Sequence, residues 1–133
     1  MSKRSDSLLA DFFSNKWSAT NAPAAGATIV AATPTPVSNT HRHILETLSY
    51  SITNMNAGSG HTVTIQVREA SVSGTVLWSR THLVNGSTTV NVDAAPNLAA
   101  QRGKTLHFMN NTVLASVVAT LNAAGWTDTG SSY

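Results

Sequence analysis

Between residues 43 and 121, apolar side chains return at every second position, and turn-forming residues interrupt them at intervals of roughly 10–15 residues. A period of two belongs to strands, whose successive side chains point to opposite faces; a helix needs 3.6. Over 43–53, Ile44, Leu48, Tyr50 and Ile52 are expected on one face and Thr47, Ser49, Ser51 and Thr53 on the other, with Glu46 interrupting the apolar side. Val63, Ile65 and Val67 then alternate with Thr62, Thr64, Gln66 and Arg68. Val76 and Trp78 form a shorter run, as do Val90 with Val92 and Leu106 with Phe108. A long run is expected over 113–121, with Val113, Ala115, Val117, Ala119 and Leu121 on one face.

The interruptions carry their own chemistry. Residues 54–60 (NMNAGSG) and 71–74 read as turns. Asn85-Gly86 predicts a two-residue hairpin, since both central residues of a type I′ turn need positive φ. Thr33-Pro34-Thr35-Pro36 ends a short first strand over 28–32, because proline cannot continue a ladder. Residues 93–103 are the longest irregular stretch, with room for one helical turn. Seven or eight short strands without βαβ alternation predict an all-β fold: an antiparallel β-sandwich, jelly-roll or Ig-like.

Ahead of the strands the period changes. Leu8, Leu9, Phe12, Phe13 and Trp17 recur at helical spacing within residues 5–17, and Ser5 or Asp6 is placed to cap. So short a helix does not stand alone in water, so its apolar face needs something to pack on. Residues 18–26 (SATNAPAAG) read as a linker. The expected organisation is therefore an N-terminal arm, 1–26, and a sandwich domain, 27–133. The five large apolar residues of the arm are the candidate partner-binding site, with packing in the arm's own domain as the competing account.

Composition narrows the function. Charged residues make up 11% of 133, against about 25% in ordinary soluble domains. Charge is what keeps free monomers apart, so this surface suits a protein that spends its life against other protein. The net charge of +2 comes with no Lys/Arg stripe, which argues against nucleic acid as partner. No apolar run approaches a membrane span, and no apolar segment follows Met1-Ser2-Lys3-Arg4, so neither membrane nor secretion is expected. On that reading Asn85-Gly86-Ser87 and Asn110-Asn111-Thr112 match the glycosylation pattern by chance. The absence of cysteine excludes disulfides and thiolate metal sites.

Catalysis finds little to work with. There is no Gly-x-Ser-x-Gly elbow, and Asp6, Asp11, Asp93, Asp128, Glu46 and Glu69 show no convergent spacing. His41 and His43 share one strand face and are the candidate metal pair; His61, His82 and His107 offer a third ligand with no spacing to choose among them. The plainer reading is a polar strand end, so no metal, cofactor or enzymatic activity is expected. Trp17, Trp78 and Trp126 are not spaced as a sugar-stacking platform.

The runs SNTHRHILETLSYSITN, HTVTIQVREASVSGTVLWS and NNTVLASVVATLNAAGWTDTG resemble small β-sandwich virion proteins of tailed bacteriophages, in particular jelly-roll capsid decoration (cement) proteins, over residues 27–130. The resemblance implies a virion protein, made in the host cytoplasm, that binds the major capsid protein on the outside of an icosahedral head. It implies a homo-oligomer, commonly a trimer, and no catalytic residues. The alternatives are a tail, fibre or receptor-binding module, or a carbohydrate-binding β-sandwich.

Overall fold

The computed structural model describes residues 15–21, 29–112 and 114–130. These form nine strands and no helix: β1 (Lys16–Asn21), β2 (Ile29–Ala32), β3 (Arg42–Asn54), β4 (His61–Glu69), β5 (Val76–Val84), β6 (Thr88–Ala94), β7 (Leu98–Ala99), β8 (Leu106–Asn110) and β9 (Val117–Asp128). One sheet has the order β1-β9-β3-β6, with β7 pairing the start of β3; the other has the order β2-β8-β4-β5.

The pairings are nested. β1 pairs β9, β2 pairs β8, β3 pairs β6 and β4 pairs β5, all antiparallel. The chain is thus one long folded-back ribbon, rolled so that successive pairs fall alternately in the two sheets. That is the jelly-roll arrangement, and it excludes the Ig-like alternative, in which consecutive strands A and B share a sheet.

The core lies between the sheets. β3 contributes Leu45, Leu48, Tyr50 and Ile52; β9 contributes Val117, Ala119, Leu121 and Ala123. Across the gap lie Val63, Ile65 and Val67 of β4 and Leu106 and Phe108 of β8. Large residues of β3 lie beside small ones of β9, as in Leu48 with Ala123 and Ile52 with Ala119. Buried polar groups are tied down. Asn54 donates to the carbonyls of Ser59 and Val84 and accepts from Asn56 N–H, fixing the β3–β4 turn. Glu69 accepts the Gln101 N–H at 2.7 Å, and Thr33 Oγ1 accepts the Leu106 N–H at 2.9 Å.

Several sequence expectations need correction. Lys16 and Trp17, expected to end the helical arm, and residues 18–21, expected to be linker, form β1, the edge strand on β9. The sandwich therefore begins ahead of residue 27. The rest of the expected helix, the rest of the linker (22–26), and residues 27 and 28 lie outside the described residues. In β3 a bulge between Leu45 and Thr47 reverses the alternation. Before it His43 and Leu45 point inward; after it Leu48, Tyr50 and Ile52 do, so Ile44 does not share their face. Asn85-Gly86 does not close a hairpin, because β5 and β6 belong to different sheets. Only Ser87 there has positive φ, at 58°; Gly86 is needed because a Cβ would stand 2.3 Å from the Asn56 carbonyl oxygen. Finally, residues 114–116 precede a strand that begins at Val117 and runs past 121 to Asp128, while Val113 lies outside the described residues.

Candidate interaction surfaces

Three surfaces stand out. The first is the outward face of the β1-β9-β3-β6 sheet. β3 presents Ser49, Ser51 and Thr53 there, β9 presents Thr120 and Asn122, and β6 presents Thr89, Asn91 and Asp93. Hydroxyls pair across the strands: Ser51 with Thr120 at 2.5 Å, Thr53 with Thr89 at 2.9 Å, and Ser49 donating to Asp93 at 2.9 Å. Ser49, Ser51, Asn91, Asp93, Thr120 and Asn122 line a shallow trough of about 300 Å³. It holds one carboxylate and no cation.

The second is β5, the edge of the other sheet among the described residues. Its outward residues include Thr81 and Leu83, and Leu83 is 67% exposed. Its inward residues Trp78, Arg80 and His82 lie in register with Val67, Ile65 and Val63 and face the seam between the sheets. There the Tyr50 hydroxyl meets His82 Nε2 at 2.5 Å, the Trp78 ring meets Tyr50 edge-on, and the Arg80 guanidinium lies 5.4 Å from the Trp78 ring centroid. Burial pushes the Tyr50 phenol up to about 12 against the opposing pull of Arg80. Burial also lowers His82, and the Arg80 charge lowers it further. Arg80 is exposed, and a charge on the strand that forms the sheet's edge among the described residues discourages strand addition.

The third is a cleft of about 330 Å³ at the start of β1, walled by Trp17, Pro34, Pro36, Val37, His41 and His43. Trp17 donates its indole N–H to the Trp126 carbonyl at 3.1 Å and packs edge-on against His43. Gly125 makes this approach possible: a Cβ there would stand 1.8 Å from the Ile44 carbonyl oxygen and 2.8 Å from Trp17 Cζ2. His43 is only 3% exposed, and both ring nitrogens are engaged. Nε2–H donates to the Pro34 carbonyl at 2.8 Å, since a carbonyl can only accept, and Nδ1 lies 2.9 Å from Thr127 Oγ1. Burial lowers the His43 pKa; the Pro34 carbonyl opposes this and the charge of His41 adds to it. Asp128 closes this end of the molecule, bound to Arg42 at 3.0 Å and Arg102 at 3.3 Å. Burial alone would raise its pKa, but the Gly130 N–H, Arg102 and Arg42 outweigh burial and lower it.

His41 and His43 therefore come together only as walls of the cleft, and His43 has no lone pair left for a metal. No cluster of three His, Cys, Asp or Glu side chains placed to hold a metal occurs among the described residues. Of the five expected anchors, Leu8, Leu9, Phe12 and Phe13 lie outside the described residues. Trp17 is not on an arm: it packs against the core of its own sandwich, 6.4 Å from the Phe108 ring centroid. The β5 seam escaped sequence reasoning because Tyr50 and His82 are 32 residues apart and sit in different sheets. The Pro34–Pro36 wall was legible only as a strand terminator.

No protein-family model matches the chain, and no curated protein matches it. Among solved structures it is similar to a pilus protein of Bacillus endospore appendages, at 15% identity over 85% of each chain and a TM-score of 0.36. It is similar to the X-ray structure of CPMV top component, at 11% identity over 84% of this chain and 74% of that one, with a TM-score of 0.34. It is also similar to the tobacco streak virus coat protein, at 11% identity over 84% and 85% of the two chains, with a TM-score of 0.33. The neighbours thus include viral capsid and pilus proteins. At these TM-scores none of the neighbours decides what the chain does; its own surface has to.

Proposed function

We propose that this chain is a non-catalytic structural protein of a particle: a capsid decoration protein that binds the outer surface of a bacteriophage head and stabilises it by bridging capsid subunits. The observation that carries the reading is the outward face of the β1-β9-β3-β6 sheet. Its hydroxyls are paired across strands with one another and with Asp93, the single charge of its central trough. Such a trough lacks the interspersed charges that keep a free monomer soluble and apart, and a protein partner covers it at little desolvation cost. Leu8, Leu9, Phe12 and Phe13, upstream of β1, supply the apolar anchor, and copies associate as trimers. Many copies, each adding a modest free energy, give the shell its gain in stability.

The test is binding of the purified chain to particles that lack it. Saturable co-sedimentation, density on the outer shell at threefold positions and a higher temperature of head rupture are expected. Density confined to the tail, or no binding to heads, would sink the reading. A second reading, a carbohydrate-binding module, draws on the trough, where Asn91 and Asn122 line a wall beside Asp93. Saturable binding to a neutral glycan that is lost in N91A/N122A favours it over the first.

A further inference from the structure

Among the described residues the outer strands are β1 and β6 in one sheet and β2 and β5 in the other. An open edge invites pairing with another chain unless it is short, bulged or charged. β1 begins at Lys16, β2 has four residues and a register shift, and β5 has a register shift and Arg80. β6 differs from all three. It pairs β3 in unbroken register from Thr88 to Ala94, with no proline, lysine or arginine and one charge, Asp93. Its sequence, TTVNVDA, also reads nearly alike in both directions about Asn91, with a valine on either side and Thr89 and Asp93 beyond. A twofold contact needs that property, because residue i meets j where j meets i. An antiparallel pairing of β6 with a second β6 about Asn91 engages every residue of the strand. Val90 then faces the partner's Val92 on the inward side, where both valines are only partly buried against the core. On the outward side Thr89 faces the partner's Asp93. Asp93 Oδ1 accepts from Ser49, which leaves Oδ2 for the partner's Thr89 hydroxyl. Asn91 meets its own copy, and a carboxamide both donates and accepts. The two Asp93 carboxylates, four residues apart along the strands, are held about 14 Å from each other.

We propose that β6 docks a second copy of this chain, antiparallel about Asn91, so that the β1-β9-β3-β6 sheet continues through a twofold axis into its copy. The contact goes beyond the decoration reading: being twofold, it joins one trimer to the next and does not build the trimer. It also carries the polar outward face unbroken across two molecules.

Because the chain has no cysteine, single substitutions report the register. Residues directly opposite in an antiparallel pair have Cα atoms about 4.5–5.5 Å apart, inside the roughly 4.4–6.8 Å that a disulfide needs. In the full-length chain, N91C should therefore crosslink to a dimer under mild oxidation. T89C or D93C alone should crosslink at least about tenfold more slowly, since each lies roughly 14 Å from its own copy. The two mixed should crosslink to each other. Charge gives an independent reading at Thr89, which is exposed. In the N91C background, T89D sets a carboxylate against the partner's Asp93 twice per axis and should slow crosslinking about fivefold, and T89K should speed it by a similar factor. N91C remaining monomeric, D93C crosslinking as fast as N91C, or T89D and T89K shifting the rate in the same direction would each overturn the proposal. No particle enters this assay, so its failure leaves the decoration reading standing.

Discussion

Tyr50 and His82, in different sheets, join those sheets at the open β5 side of the sandwich through a bond of 2.5 Å between the phenol oxygen and Nε2. Tyr50 is otherwise a core residue, edge-on to Trp78. Replacing it by phenylalanine keeps the ring and removes the bond, so Y50F should lose about 1 kcal/mol of unfolding free energy. Equilibrium denaturation checks this. An unchanged midpoint with an unchanged slope would show that the seam is held by packing alone.

Stability should fall as the pH drops from 7.5 to 5. His43 and His82 both have folded pKa values below their ordinary value of 6.5, burial being the first cause for each. The unfolded chain then binds protons more readily than the folded one. The contribution of these groups is complete above about 6.5 and is lost as the pH falls toward their folded values. H82Q should flatten part of that slope. Asp128 acts in the same direction at lower pH, because its pKa is also depressed and its contribution is lost as it protonates. A melting temperature that is flat or rises between pH 7.5 and 5 would contradict the assignment.

Gly125 should tolerate no side chain. A Cβ placed there meets the Ile44 carbonyl oxygen at 1.8 Å and the Trp17 ring at 2.8 Å, so backbone as well as side chain must shift. G125A should cost about 1–3 kcal/mol, the usual range for overpacking, and should weaken the β1–β9 pairing first. Hydrogen exchange at Trp17 and Ala19 against that at Val63 and Ile65 would show whether the loss is local.

The arm should separate from the fold at a defined point. Removing residues 2–11 takes away Leu8 and Leu9 but leaves Phe13 and all of β1. That truncation should melt within a degree or two of the full chain and bind particles at least about tenfold more weakly, the effect of losing one or two apolar anchors. Removing residues 2–17 also takes Lys16 and Trp17 out of the edge strand and should destabilise the sandwich itself. Identical melting curves for the two truncations would mean that Trp17 contributes nothing to the core.

β4 was legible in full: Val63, Ile65 and Val67 alternate without fault and are all buried. β3 was legible only after Glu46, because a bulge adds a residue and inverts every face before it; the charged residue in the apolar series was the visible mark of it. β1 was hidden between a run that reads as helix and a run of small residues. Its signal was the five-residue alternation of Lys16, Ser18 and Thr20 with Trp17 and Ala19. Asn85-Gly86 misled because a glycine can be required by close approach as well as by φ. The cleft was not legible, since its walls come from β1, the 34–37 loop and β3, and their meeting depends on which strands are neighbours. The outward polar face was present in the alternation itself, as the set of Ser, Thr and Asn left over once the inward positions were assigned.

Nested pairing has a kinetic consequence. Lys16 pairs with Trp126, so the outermost partners are separated by nearly the whole described chain, and β9 lies between β1 and β3 rather than at an edge. Until β9 is made, the first sheet has a gap where its second strand belongs, and β1 has nothing to pair with. During synthesis the β4–β5 hairpin can form early, but closure must wait for residues near 128 to leave the ribosome. Long-range pairings of this kind are slow, and an unfinished chain exposes the flank of β3 throughout. Stalled ribosome complexes ending before residue 117 should therefore be degraded by protease along β1 and β3, and complexes that have released residue 130 should resist.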